Sequence, residues 1–400
     1  MTTSREVSSQ RSKTGRKIRV RFATNRNQTG GDELFGSDFR NASDGSLFAT
    51  GTIDVYHRGG SPHPNWVPDP TSLHLDPTSI VASSSIPQIV AAEDSVSDAM
   101  TSFIEGRLKA EAEKGKSSRN SGIVFLPGFD NTFIGSMSAS AEIVSAYAAQ
   151  DVFCFSWPSQ GKFGLGPYLK DRSSAYESGD AIALALSVVF SKLLRIEKSK
   201  RPNLHIVCHS MGNRALGAAI QNISVSAPEL LSANYFEYAL LMAADEDYDA
   251  LSKQKKLKSL LTLANNIEVY TNENDGAMVL SNIVNLHAPL GSFGPADFGK
   301  LPSEVIWIDC TDVGSTHEND GSSNWGHQYY RLSEPVTADV HQVLIGTAPD
   351  KVAPRIPDRR FPKRKFIIPA SIDSAWSRSR GYRVNHMDRV ADLMNSRQRI

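Results

Sequence analysis

Short apolar runs recur through the middle of the chain, and each is followed by a polar turn and a stretch with helical spacing. Runs without polar alternation are typical of strands that are buried on both faces of a parallel sheet. Strands that alternate with helices predict an α/β fold, with a mainly parallel sheet and helices on both faces. The predicted strands are Gly122–Leu126, Val152–Trp157, Leu204–Cys208, Tyr235–Met242, Ile267–Thr271 and, as the last strand of the sheet, Glu304–Asp309. The predicted helices are Thr132–Ala149, Asp171–Ser199, Ala215–Ile223, Tyr248–Leu263, Gly276–Val284 and 334–345.

The first hundred residues are less regular. Ile18–Ala23 alternates apolar and basic residues, which is typical of an edge strand. Residues 27–50 are rich in Gly, Asp, Asn and Ser, so we predict a long loop there, followed by a second strand over Thr52–Tyr56. An amphipathic helix is predicted to end near Ala112.

The composition excludes several classes of protein. The 400 residues, 40% of them hydrophobic, can bury a large core. No apolar run approaches the roughly 18 residues that span a bilayer, and the polar, basic N-terminus lacks the apolar segment of a secretory signal. The cysteines lie in apolar runs without a C-x-x-C pattern, so we expect reduced thiols, no metal site and a cytoplasmic protein. They are Cys154, Cys208 and Cys310.

The charge is balanced overall but unevenly distributed. Residues 1–21 hold 7 basic and 1 acidic residue, and residues 351–400 hold 13 basic and 4 acidic, so two basic ends flank an acidic body. We expect these ends to be solvated or to pack on the acidic body. No aromatic interleaving or recognised motif indicates nucleic-acid binding.

The stretch Leu204–Ile223 carries the main chemical signal. Cys208-His209-Ser210-Met211-Gly212 has the spacing of a G-x-S-x-G nucleophile elbow, with Cys at the first glycine position. Such an elbow holds a serine on a sharp, strained turn between strand and helix, and small residues on either side let the two elements approach closely. Ser210 is therefore the predicted nucleophile.

A serine hydrolase with this elbow places its acid, and then its base, after the nucleophile in the chain. The candidate acids follow the next two predicted strands and are Asp245, Glu246, Asp247, Glu273 and Asp275. Asp275 is preferred, with Asp245 as the alternative. The base is expected after the last strand, where His327 is preferred to His317 because His317 lies in a stretch that looks solvated.

Two backbone N–H groups are needed to bind an oxyanion. We assign them to Met211, directly after the nucleophile, and to Phe129, in the turn after Gly122–Leu126. An apolar acyl pocket or cover is the predicted role of Trp157, Phe163, Leu165 and Tyr168. This chemistry requires no organic cofactor and no metal.

Several motifs together resemble one known family. They include Ala23–Arg26 (ATNR), Pro127–Phe133 (PGFDNTF), Ser156–Ser159 (SWPS), His209–Asn213 (HSMGN) and Gly326–His327. The chain resembles a mostly bacterial group of α/β-hydrolases, esterase- or lipase-like, that share a domain of unknown function. The resemblance implies an α/β-hydrolase fold and a triad of Ser210, Asp275 and His327. Two residues depart from the family pattern: Pro127 replaces a histidine in the oxyanion loop, and Cys208 replaces alanine or glycine.

The sequence therefore predicts a serine hydrolase that cleaves a small-molecule ester through an acyl-enzyme. The alternatives are an acyltransferase or amidase with the same triad, and a non-catalytic binding or scaffolding protein on the hydrolase fold. The predicted organisation is a disordered tail (1–16), an α/β-hydrolase domain with an N-terminal strand extension (17–350) and a basic C-terminal extension (351–400). Phe361 and Phe366 are apolar enough to pack part of that extension on the body. No pattern indicates the oligomeric state.

Overall fold

The computed structural model describes residues 16–41, 46–58, 65–77, 80–81, 98–114, 121–162, 164–252, 256–285, 288–313 and 326–370. The strands are β1 (Lys17–Thr24), β2 (Arg26–Gln28), β3 (Phe35–Phe39), β4 (Ser46–Arg58), β5 (Asn65–Pro68), β6 (His74–Leu75), β7 (Ile80–Val81), β8 (Gly122–Leu126), β9 (Asp151–Ser156), β10 (Leu204–His209), β11 (Phe236–Met242), β12 (Ala264–Thr271), β13 (Val305–Asp309), β14 (Ile356–Pro357) and β15 (Lys365–Ile367). The helices are α1 (Asp98–Lys114), α2 (Phe133–Ala146), α3 (Leu165–Glu177), α4 (Gly179–Leu194), α5 (Gly212–Ser226), α6 (Leu260–Leu263), α7 (Gly276–Asn285), α8 (Leu290–Phe293), α9 (Tyr329–Leu332) and α10 (Glu334–Leu344).

One large sheet organises the described chain, with the strand order β14-β15-β13-β12-β11-β10-β8-β9-β1-β4-β5. The strands from β15 to β1 all run parallel, and β14 and β4 pair antiparallel at the two sides. The prediction of an α/β fold with a mainly parallel sheet is confirmed.

Apolar side chains cover both faces of this sheet, which explains the uninterrupted apolar runs. Every residue of β8, β9 and β10 is buried. Along β8, Val124 and Leu126 belong to one apolar cluster, and Ile123 and Phe125 belong to the other. Because side chains alternate across a strand, a strand with a core on each side needs apolar residues at every position.

The prediction that Ile18–Ala23 forms an edge strand is wrong. β1 lies between β4 and β9, and its basic side chains form ion pairs instead of facing water alone. Arg19 pairs with Asp54 at 2.8 Å, and Arg21 pairs with Asp151 at 2.6 Å. The predicted loop over residues 27–50 contains β3 and the start of β4, and β4 is the strand that covers the outer side of β1.

Two predicted helices differ from those in the structure. The helix predicted over Asp171–Ser199 is two helices, α3 and α4, which meet at Ser178. The helix predicted over Tyr248–Leu263 consists of turns and the short α6 in its described part, because the Tyr248 backbone pairs with Ala288 and Ala296 in another segment. Residues 253–255 of the predicted helix lie outside the described residues.

The C-terminal segment extends the sheet beyond the strand that was predicted to be last. β15 pairs in parallel with β13, and Phe366 and Ile368 are completely buried. Packing of this apolar part of the extension on the body is therefore confirmed. The predictions for residues 1–15 and 371–400 concern residues outside the described part of the chain. No helix within the described ranges is long and apolar enough to cross a membrane.

A buried guanidinium fixes this C-terminal segment to the body. Arg355 donates to Glu268 at 2.6 Å and to Asp339 at 2.7 Å, and Tyr270 donates to Asp339 at 2.7 Å. Burial raises the pKa of Glu268, and the positive charge of Arg355 opposes that rise. Each carboxylate is enclosed, so each depends on Arg355 to compensate its charge.

We expect Arg355→Ala to lower the free energy of unfolding by about 3–5 kcal/mol, because it leaves two buried carboxylates without a cation. Lys351→Ala is the control, since the Lys351 side chain is 71% exposed and its loss should change stability by less than about 0.5 kcal/mol. Urea unfolding of both variants measures the difference. Equal stability of the two variants would contradict the role of the cluster.

Candidate active site

Ser210 occupies the turn between β10 and α5, with a backbone φ of +51°. A non-glycine residue in this left-handed region is strained and must be held there by its surroundings. The Ser210 N–H donates to the Met242 carbonyl at 2.8 Å, and the Ser210 carbonyl accepts from the Asp245 N–H at 3.1 Å. The Asn213 side-chain amide donates to the same carbonyl at 3.0 Å. The turn at the predicted elbow is thus fixed from both neighbouring segments.

Two glycines allow the backbone to pack this closely. A Cβ on Gly212 would lie 2.7 Å from the Pro127 carbonyl oxygen and still closer to that of Leu126. A Cβ on Gly128 would lie 2.7 Å from the Cβ of Ser210. Cys208, at the other elbow position, is fully buried in the apolar cluster on one face of the sheet. A glycine is therefore required at position 212, two residues after the serine. Position 208, two residues before it, accepts the larger cysteine side chain.

His327 and Asp275 are hydrogen-bonded to each other. The distance from His327 Nδ1 to Asp275 Oδ2 is 2.6 Å. An ionised carboxylate only accepts hydrogen bonds, so Nδ1 carries the proton and Nε2 keeps its lone pair. The other carboxylate oxygen of Asp275 accepts from the N–H of Ala277 at 3.0 Å and of Met278 at 3.3 Å, at the start of α7. Asp275 thus caps a helix and orients the imidazole at the same time.

Asp245, the alternative acid, has other partners. Its carboxylate accepts from the hydroxyl groups of Tyr168 and Ser281, each at 2.7 Å, and lies 3.3 Å from an Arg214 nitrogen. Asp245 and Ser281 are completely buried. The structure therefore joins Asp275 to His327 and makes Asp245 part of a network that ties α3, α5 and α7 to the end of β11.

His209, directly before Ser210, connects the elbow to His327, and the sequence analysis assigned it no role. The Nε2–H of His209 donates to the His327 backbone carbonyl at 3.1 Å, and the two imidazole centroids lie 4.5 Å apart. Burial lowers the pKa of His209 well below its ordinary value, so the ring is neutral. Tyr330 stacks on it at 4.1 Å. The signal available in the sequence was the position of His209 directly beside Ser210.

The side chains of Ser210 and His327 are enclosed. Ser210 is fully buried and His327 is 4% exposed. Neither the Ser210 Oγ nor the His327 Nε2 makes a hydrogen bond to any part of the chain that the structure describes. Buried polar atoms are normally paired, so two unpaired ones on neighbouring segments call for a functional explanation.

The predicted oxyanion donors belong to two segments that meet at Ser210. Met211 is the N-cap residue of α5 and directly follows Ser210. Phe129 belongs to the loop after β8, whose Gly128 packs against Ser210. Pro127, the departure from the family pattern, uses its carbonyl to accept from the Trp157 indole N–H at 2.8 Å.

Residues 105–347 match the family described as an alpha/beta hydrolase of unknown function, DUF900. The chain belongs to this family. The match covers more than half of the sequence and includes Ser210, Asp275 and His327. The family resemblance expected from the sequence motifs is confirmed, and so is the α/β-hydrolase fold.

Two solved structures are similar to parts of this α/β-hydrolase. A Trichoderma reesei cutinase, in complex with a C11Y4 phosphonate inhibitor, is 13% identical over 42% of this chain and 72% of the cutinase, with a TM-score of 0.23. The peroxisomal alpha-beta-hydrolase Lpx1 (Yor084w) from Saccharomyces cerevisiae is 12% identical over 57% of this chain and 44% of its own, with a TM-score of 0.20. Among curated proteins, none matches.

The residues predicted to form an acyl pocket do not share one environment in this hydrolase. Trp157 and Tyr168 are 1% exposed, and their polar atoms bind Pro127 and Asp245. Leu165 is 53% exposed at the start of α3. Phe163 and the rejected base His317 lie outside the described residues. Trp157 and Tyr168 thus hold loops and helices in place, and Leu165 faces outward.

Gly212→Ala should destabilise the hydrolase by about 1–3 kcal/mol, because the added methyl group overlaps the carbonyl groups that end β8. Gly106→Ala is the matched control: it lies in α1 with nothing within 4 Å of its Cβ position, and it should stabilise by about 0.5–1 kcal/mol. Thermal unfolding compares the two. Effects of the same sign would contradict the packing described at the elbow.

Proposed function

We propose that this α/β-hydrolase is a serine hydrolase that cleaves carboxylic esters through an acyl-enzyme. Ser210 Oγ bonds to the acyl carbon while its proton passes to Nε2 of His327. The imidazolium returns that proton to the departing alkoxide, which leaves as the alcohol. Water then attacks the acyl-enzyme with the same histidine as base, and the acid is released. Asp275 orients the imidazole and stabilises its charged form.

The observation that carries this proposal is the hydrogen bond between His327 Nδ1 and Asp275. It directs the basic Nε2 lone pair away from the acid, and that nitrogen is buried and unpaired. His209 ties the backbone of His327 to the residue beside Ser210. A histidine oriented by a carboxylate, on a segment bound to the residue beside a strained serine, supports nucleophilic catalysis by Ser210.

The developing oxyanion would be bound by the N–H groups of Met211 and Phe129. Both lie next to Ser210 in space or sequence, and the start of α5 adds the positive end of its helix dipole. Ester hydrolysis is preferred to amide hydrolysis or acyl transfer, which would use the same triad. A panel of p-nitrophenyl esters of increasing chain length, with the matching anilides and thioesters, compares these reactions.

Labelling by a fluorophosphonate probe tests the nucleophile and the base. We expect the wild-type protein to be labelled and both Ser210→Ala and His327→Ala to lose labelling, with kcat for Ser210→Ala falling about 10⁶-fold. Ser191→Ala and His341→Ala, which change residues on α4 and α10, should label as the wild type does. A folded wild-type protein that resists labelling would favour the binding or scaffolding alternative.

The choice between the two buried acids is tested by Asp275→Asn and Asp245→Asn. Asp275→Asn should lower kcat about 10⁴-fold, because an amide at this position no longer fixes the tautomer with Nε2 unprotonated. Asp245→Asn should retain kcat within about tenfold but lose stability, since Arg214 then lacks its carboxylate. Ester turnover and urea unfolding are measured for both. The reverse pattern would make Asp245 the catalytic acid.

A further inference from the structure

The loop after β8 is held by side chains that bind its carbonyl groups. The Trp157 indole donates to the Pro127 carbonyl at 2.8 Å. The side-chain amide of Asn131 donates to the carbonyl of Gly128 at 3.2 Å and to that of Phe129 at 3.0 Å. Three consecutive carbonyl groups therefore point toward fixed donors.

The orientation of each carbonyl determines the orientation of the next N–H. In a planar trans peptide the C=O of one residue and the N–H of the next point in opposite directions. Because Asn131 binds the Gly128 carbonyl, the N–H of Phe129 must point to the other side of the loop. Gly128 packs against the Cβ of Ser210, so this peptide borders the nucleophile.

Asn131 is itself held on both sides of its own backbone. Its carbonyl accepts from the Arg26 guanidinium at 2.6 Å, and its N–H donates to the Ser159 hydroxyl at 3.2 Å. That hydroxyl donates in turn to Asp171 at 2.5 Å. Arg26 is 1% exposed, and Asp171 is completely buried. Burial lowers the pKa of Arg26 to about 9, which leaves it charged at neutral pH.

The same network fixes the residue between Phe129 and Asn131. Asp130 has a φ of +60°, and its N–H donates to Asp171 at 3.4 Å. Arg26 also donates to the Ser159 carbonyl at 2.9 Å, so it joins the two loops that follow β8 and β9. Hydrogen bonds therefore hold the backbone of this loop at every residue from Pro127 to Asn131.

We propose that Asn131 is a positioning residue for the oxyanion hole, which it preorganises by holding the peptide between Gly128 and Phe129. The inference rests on the proposed function, because the Phe129 N–H matters only if an oxyanion forms at Ser210. Asn131 acts through the backbone of its neighbours, and Arg26 and Ser159 keep it in place. The donor that it orients interacts with the oxyanion, which forms only during the reaction, so its loss should affect the transition state more than ground-state binding.

Asn131→Asp keeps the size of the side chain but removes the amide donor. We expect kcat for p-nitrophenyl ester hydrolysis to fall about 10²–10³-fold, the usual effect of one lost oxyanion donor, with little change in KM. Asn131→Ala should show the same split without an added charge. Asn222→Asp is the matched control, because that amide donates to Asp180 on an exposed surface.

A thionoester with the same acyl and leaving groups separates this role from general damage. Its sulfur is a poor hydrogen-bond acceptor, so an intact oxyanion hole favours the oxygen ester. The ratio of kcat/KM for the oxygen ester to that for the thionoester should fall in both Asn131 variants and remain unchanged in Asn222→Asp. A folded Asn131→Ala protein with wild-type kcat and a wild-type ratio would overturn the inference.

A crystal structure of Asn131→Ala supplies a test that does not depend on turnover. Rotation of the peptide between Gly128 and Phe129 would support the holding role, and an unchanged peptide would refute it. If the wild-type protein neither hydrolyses esters nor reacts with fluorophosphonate, the proposed function fails, and this structure still decides whether Asn131 holds the loop.

Discussion

The backbone of Ser210 stays in its left-handed conformation because three segments meet there without intervening side chains. Gly212 lies against the carbonyl groups at the end of β8, and Gly128 lies against Ser210 itself. On the other side, Met242 and Asp245 bind the N–H and the carbonyl of the serine. Strain of this kind costs roughly 1–3 kcal/mol, and the buried strands around it supply the stability that maintains it. The position of Ser210 is thus determined by the surrounding sheet as well as by the turn itself.

Around this point, buried polar side chains mostly bind backbone groups. Arg26, Trp157 and Asn131 donate to loop carbonyls, and the Tyr329 hydroxyl joins the ends of β11 and β12 by contacting Ala243 and Tyr270. Leaving a buried donor without an acceptor destabilises the folded state by about 1–3 kcal/mol. Loop conformations that break these hydrogen bonds are therefore disfavoured. Asp275 also binds backbone groups, because its carboxylate accepts from the Ala277 and Met278 N–H groups at the start of α7. The described segments that carry these bonds are therefore held in place although they lack regular structure.

Local patterns made the elbow and the central strands predictable. The turn at Ser210 could be predicted because the elbow spacing is contiguous, and the pairing of Asp275 with His327 because chain order in this fold limits where an acid and a base lie. Contacts between distant residues could not be predicted in this way. Nothing near Tyr168 in the sequence indicates that its hydroxyl binds Asp245, and nothing near Asn131 indicates its bond to Arg26.

The wrong predictions of strands and helices have related causes. β1 shows the alternation of an edge strand because ion pairs to Asp54 and Asp151 occupy its polar positions inside the sheet. The Tyr248–Leu263 sequence has helical spacing, yet the backbone of Tyr248 hydrogen-bonds to a segment about 40 residues further along the chain. β15 has only three residues, too few for a periodic signal. In each case a partner far away in sequence decided the structure.

The place of β15 has a consequence for biosynthesis. The strand lies on the outer side of β13, and the cation that compensates Glu268 and Asp339 arrives with Arg355. During translation, the β13 edge therefore stays unpaired, and Glu268 and Asp339 lack their cation, until Arg355 and β15 have been made. Unpaired strand edges recruit other chains. Chains that end before β15 are thus expected to expose a strand edge at which other chains can pair.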